Sequence, residues 1–130
     1  MRTLSTVLLV LISAFVLSGC GGNSTTGTRA PANRQEAVAR INAAMQIVSH
    51  NEKDAALAAA CRDAAKIGEG DAVLKGLPMI VSHNLVDEVA RDCSISLRDS
   101  GSHEAATAVA GLITSHNLRD EVLKKLASGL

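Results

Sequence analysis

The stretch Ile80-Val81-Ser82-His83-Asn84-Leu85-Val86-Asp87 decides the fold, because the chain carries it twice more, as Ile47-Val48-Ser49-His50-Asn51-Glu52-Lys53-Asp54 and as Ile113-Thr114-Ser115-His116-Asn117-Leu118-Arg119-Asp120. The isoleucine, serine, histidine, asparagine and aspartate coincide in all three copies, and His50, His83 and His116 stand 33 residues apart each time. Self-similarity at a period of about 20–50 residues is the signature of a repeat architecture, in which each unit buries its apolar face against the next. Within the second unit, Val73, Leu74, Leu77 and Ile80 recur at helical spacing, as do Val86, Val89, Ala90, Cys93 and Leu97. Spacings of three and four put such residues on one helical face. The pattern predicts a helix near residues 71–81 and a second near 85–97, with Gly68 and Gly101 closing the second helices of the first two units, where a C-cap needs a left-handed residue. The expected fold is all-α: three antiparallel helical hairpins, one per 33-residue repeat, forming a short α-solenoid.

The repeated polar triplet has a structural reading and a chemical one. In the structural reading, Asn51, Asn84 and Asn117 are helix N-caps. Asp54, Asp87 and Asp120, three residues on, then face free amides at the positive end of the helix dipole. Ser49, Ser82 and Ser115 belong to the same turn, and His50, His83 and His116 pack over it. In the chemical reading the imidazoles form a ladder that binds a divalent metal or senses pH. Ligands held at about 2 Å must converge, whereas stacked helices lie about 8–10 Å apart. His103, at the start of the third unit's first helix, belongs to the opposite rim. No metal site is therefore expected.

Cys61 and Cys93 fall at near-equivalent places in the first and second units. An oxidising compartment would permit a bridge between them, and two buried thiols acting as small hydrophobes are the alternative. Without a paired Cys-x-x-Cys, redox catalysis is not expected. Asp63, Asp92, Glu104 and Glu121 are read as solvated residues on polar helix faces. No nucleophile elbow, phosphate-cradling glycine loop or paired zinc-ligand motif is present, so neither an enzyme nor a cofactor is expected.

Toward the N-terminus, Asn33 with Glu36 three residues on reads as a capping box. Before it, residues 20–32 have the Gly/Ser/Thr-rich composition of a flexible linker, reaching roughly 20 Å. Residues 4–17 form an apolar run behind Arg2, shorter than the about 20 residues of a membrane span. The run closes on Leu17-Ser18-Gly19-Cys20, which resembles the lipobox of bacterial lipoproteins. The resemblance implies a signal peptide over residues 1–19, cleavage between Gly19 and Cys20, and lipidation of the Cys20 thiol and its freed amine. It further implies attachment to the cell envelope. In that family's Gram-negative members an aspartate after the cysteine retains the protein at the inner membrane, and Gly21 stands there instead, so in such an envelope the resemblance implies the outer membrane's periplasmic face.

Removal of residues 1–19 takes Phe15, the only aromatic residue, and Arg2, one of 13 basic residues against 13 acidic ones. Stacking on sugars or bases needs aromatic rings, and steering toward nucleic acid needs a net positive charge. Carbohydrate stacking and nucleic acid are therefore excluded as expected ligands. The helical-repeat domain is expected over residues 33–130, and from about residue 36 to 130 the hairpin pattern resembles the tetratricopeptide and HEAT repeats in degenerate form, with Asp87-Glu88-Val89 and Arg119-Asp120-Glu121-Val122 opening second helices. That resemblance implies a scaffold that holds another protein. The expected function is a membrane-anchored, non-catalytic adaptor or assembly factor with a protein partner or self-association. A metal- or pH-responsive ligand-binding sensor using the histidines is the alternative.

Overall fold

The computed structural model describes residues 29–129, and over them the chain is all-α. The expected signal peptide, Cys20 and the linker as far as residue 28 lie outside the described residues. Six helices follow one another: α1 (Arg34–Met45), α2 (His50–Lys66), α3 (Gly70–Gly76), α4 (His83–Asp99), α5 (His103–Ala110) and α6 (His116–Ala127). None of the described helices is long and apolar enough to cross a membrane.

Local chemistry sets most of the boundaries. Asn33 Oδ1 accepts from the Glu36 amide at 3.0 Å, and the Glu36 carboxylate accepts from the Ala32 amide at 2.7 Å, a capping box whose return arm reaches one residue further back than usual. The bond from Ala32, with the Arg40 guanidinium beside it, holds the Glu36 carboxyl below its ordinary range. The second unit's second helix runs two residues longer at each end than the pattern predicts, and both α2 and α4 close on a left-handed glycine: Gly68 at φ 80° and Gly101 at φ 87°. The Glu69 amide then reaches the Ala64 carbonyl, and the Ser102 amide the Leu97 carbonyl. This is the Schellman pattern, which satisfies carbonyls the helix leaves open. The helix expected over residues 71–81 is shorter than the pattern implies. Pro78 lacks an amide hydrogen and its ring crowds the carbonyl four residues back, so α3 stops at Gly76 and continues as one 3-10 turn, Leu77–Met79.

The longer helices pack in series, α2 against α4 and α4 against α6, and the shorter ones likewise, α1 against α3 and α3 against α5. Within the first and third units the two helices also touch, α1 with α2 and α5 with α6, and in the second the 3-10 turn meets α4, while α2 with α3 and α4 with α5 join neighbouring units. One continuous aliphatic core results, with Ile41, Leu57, Leu77, Leu97 and Ile113 among its largest fully buried side chains. Each such side chain contributes about 1.5–3 kcal/mol on burial. Alanine fills much of the rest, which lets helices approach closely. A methyl group at Gly70 would collide with Ala105 Cβ on α5, and one at Gly76 would stand 2.9 Å from Cys61 Sγ and 3.1 Å from Ile41.

Candidate functional site

The repeated segment builds a recurring polar feature among the described residues, although not in the way its spacing predicts. The Lys53, Val86 and Arg119 amides donate to the Ser49, Ser82 and Ser115 carbonyls, so each helix begins at its histidine and the serine is the N-cap. The asparagines, expected as caps, lie one residue inside the helix, and all three are exposed. The serine side chains make no cap bond either. Each aspartate sits in the second turn, too far along to serve the amides of its own helix start.

Its partner is the next unit. Asp54 Oδ1 accepts from the Val81 amide at 2.9 Å and Oδ2 from the Ser82 amide at 3.0 Å. Asp87 repeats the arrangement, accepting from the Thr114 amide at 2.7 Å and the Ser115 amide at 3.0 Å, with the Thr114 hydroxyl donating to both oxygens at 3.0 Å. The geometry follows from the extended backbone of the serine N-caps, at φ −72° for Ser82 and −71° for Ser115. That conformation turns two successive amides outward, unsatisfied by their own helix. A carboxylate meets both with two charge-assisted bonds. Burial raises the Asp87 carboxyl, but the Thr114 and Ser115 amides, the Thr114 hydroxyl and the charge of His83 outweigh it, and the net shift is downward.

Burial of the clamp grades along the chain. Asp54 is only 7% exposed, Asp87 is half-buried and Asp120 is exposed. Asp120 makes no hydrogen bond or ion pair among the described residues, and the amides of Val48 and Ser49, the counterparts of the clamped pairs, meet no acceptor there. Val48 is 92% exposed.

Ion pairs also cross between units. Arg62 on α2 reaches Glu88 at 2.9 Å and Asp92 at 3.0 Å on α4, and Arg34 on α1 reaches Asp71 at 3.0 Å on α3. These pairs are partly or largely exposed and each contributes little. Asp63 corrects the expectation that it is solvated: it is buried between Arg40 at 3.5 Å and Lys66 at 3.2 Å. Helical periodicity does not reveal this, because the burying residue, Arg40, comes from α1. Asp92 is likewise half-buried, whereas Glu104 and Glu121 are exposed.

His50, His83 and His116 are all exposed at successive helix starts, and His103 opens α5. His116 Nδ1 lies 2.9 Å from Arg119 Nη2. Among the described residues, no three histidine, cysteine, aspartate or glutamate side chains stand together as a metal site would require. Cys61 and Cys93 are both free and fully buried. Burial pushes the Cys61 thiol up to about 12 against the pull of Arg62, and burial and then Cys61 push Cys93 up as well. Such thiols act as small hydrophobes, not as nucleophiles.

An apolar groove of about 360 Å³ runs between α1 and α2, lined by Ala43, Ala44, Ile47, Ala56 and Ala60, with Arg40 and Asp63 at its side. Comparison with known proteins finds no matching family model, no matching curated protein and no matching solved structure.

Proposed function

We propose that the chain is a lipid-anchored, non-catalytic module that binds protein at the periplasmic face of the cell envelope, and that its three hairpins form a short α-solenoid. The observation that carries the binding reading is the α1–α2 groove, an apolar-lined space of about 360 Å³ whose lining includes Ile47; the next residue, Val48, is 92% exposed. Exposed contiguous apolar surface rimmed by polar groups marks interaction sites. The part-exposed Arg40, paired with the buried Asp63, supplies a polar edge. Stacked helical repeats ordinarily use a continuous face to hold another protein. The anchor reading rests on Leu17-Ser18-Gly19-Cys20, and more than one acyl chain on Cys20 would make attachment stable.

The test is photocrosslinking in intact envelope from a reactive group placed at Val48, alongside metabolic labelling with a radioactive fatty acid. A protein adduct through Val48, with label present in wild type and absent in Cys20→Ser, is expected. Equal labelling of the two chains would overturn the anchor, and absence of any protein adduct would overturn the binding reading.

A further inference from the structure

The interface between successive units has two halves, and each end of the chain displays one of them. The acceptor half is an aspartate in the second turn of the unit's longer helix, and the donor half is the pair of amides just before the next such helix. Asp54 meets Val81 and Ser82, and Asp87 meets Thr114 and Ser115. Among the described residues, the donor pair at Val48 and Ser49 on the first unit meets no acceptor, and the acceptor at Asp120 on the third meets no donor.

The apolar surfaces follow the same rule. Ile47 and Ala56, both part-exposed, line the open groove on the first unit. Their counterparts one repeat on, Ile80 and Val89, are buried in the core. At the far end a second groove, of about 350 Å³, is lined by Thr107, Leu123 and Ala127 among others. Two repeats earlier their counterparts are Ile41, Leu57 and Cys61, all fully buried.

The fit extends to side-chain volume. In the first junction Gly76 faces Ile41 and Cys61 closely enough that a methyl group there would crowd both. In a junction made from the two ends, Ala43 would take the place of Gly76, while the smaller Thr107 and Ala127 would replace Ile41 and Cys61. The volume removed on one side exceeds the methyl added on the other, so Ala43 meets no overpacking there, and the Thr107 hydroxyl is already satisfied by the His103 carbonyl at 3.1 Å.

We infer that the open ends bind each other: Asp120 of one copy clamps the Val48 and Ser49 amides of a second copy, continuing the repeat from chain to chain. This deepens the reading of the domain as a protein-binding module by naming its partner. The contact is heterologous, using a different surface on each copy, and it reproduces the operation relating successive units, so it generates an open filament instead of a closed dimer.

Two single variants and their mixture test the inference on the full chain in detergent micelles, by native mass spectrometry. Asp120→Ala removes the acceptor. Ser49→Pro removes one donor N–H at a residue whose φ of −69° suits proline and whose side chain makes no cap bond. Wild type is expected to give a ladder of dimers, trimers and longer species. Each variant should dissociate about ten- to hundred-fold more readily, the effect of losing hydrogen bonds to a charged acceptor. An equal mixture should give a one-to-one pair and nothing longer, because each partner brings one intact end. Should Ser49→Pro unfold, Ala43→Asp replaces it by placing a charge in the exposed groove.

Wild-type chain that stays monomeric at high concentration, variants that form the wild-type ladder, or a mixture that stays monomeric would each overturn the inference. Monomeric chain that still crosslinks through Val48 to a different protein overturns the inference and leaves the binding reading standing. No crosslink of any kind overturns both.

Discussion

Replacing Asp54 by alanine removes both arms of the best-buried clamp. The carboxylate is 7% exposed and each oxygen accepts one amide, at 2.9 and 3.0 Å. A hydrogen bond to a charged group contributes about 1.5–3 kcal/mol net. Val81 and Ser82 lie at the surface, so their amides turn to water once the carboxylate is gone, and the lower figure applies to each. The expected loss is about 3 kcal/mol, a large share of the 5–15 kcal/mol typical of a domain. Asp87 has one more donor but is half-exposed and better screened, so Asp87→Ala should cost about 1–2 kcal/mol. Asp120 has no partner among the described residues, and Asp120→Ala should stay within about 0.5 kcal/mol, as surface substitutions do. Urea unfolding at low protein concentration measures the series. Far-UV circular dichroism is the appropriate signal, because the chain has no Trp or Tyr. With a slope of about 1–3 kcal/mol/M, the Asp54→Ala midpoint should fall by roughly 1–3 M. Equal losses at all three aspartates, or a loss below about 0.5 kcal/mol at Asp54, would refute the inter-unit clamp.

Gly70→Ala should destabilise by about 1–3 kcal/mol through overpacking against Ala105, and the double variant Gly70→Ala/Ala105→Gly should recover much of it; urea midpoints of the three chains check this. The Asp87 carboxyl titrates below its usual value near 3.8 in the folded state, so its contribution is complete above that value and is lost as pH falls through the folded pKa. Wild type should therefore exceed Asp87→Asn in urea midpoint at pH 6 and converge with it as pH falls through the carboxyl's lowered folded pKa; a gap that widened on acidification would contradict the sign. Burial at Cys61 and Cys93 predicts that a thiol reagent modifies neither in the folded chain and both in denaturant. Modification at the rate of an exposed thiol would show that the core around α2 and α4 is open.

The helical class was legible because it rests on local signals. Apolar residues at helical spacing mark the helices, and Gly68 and Gly101 punctuate them with the left-handed backbone expected of them. Two errors share one cause. The asparagines read as caps and the aspartates as residues serving their own helix, since Asn and Asp near an N-terminus ordinarily act locally. Nothing within one unit reveals that Asp54 reaches Val81, 27 residues away. The invariance of the aspartate across units was the available signal. A residue kept at a fixed place in every repeat serves either its own turn or the junction between repeats, and only the start of the helix at His50, His83 and His116 distinguishes the two. Asp63 was misread for the same reason, since Arg40 on another helix makes its burial tolerable. The shortening of α3 was readable from Pro78 alone.

Amide hydrogen exchange followed by NMR at low protein concentration tests the clamp most directly, because it reads the three equivalent amide pairs side by side. Val81, Ser82, Thr114 and Ser115 are hydrogen-bonded to the preceding unit's carboxylate and should exchange slowly. Val48 and Ser49, which meet no carboxylate among the described residues, should exchange at close to the rate of an unprotected amide, and Asp54→Ala should bring Val81 and Ser82 to that rate while leaving Thr114 and Ser115 protected. Equal exchange at all three pairs in the wild-type chain, or protection at Val81 and Ser82 that survives Asp54→Ala, would contradict the account.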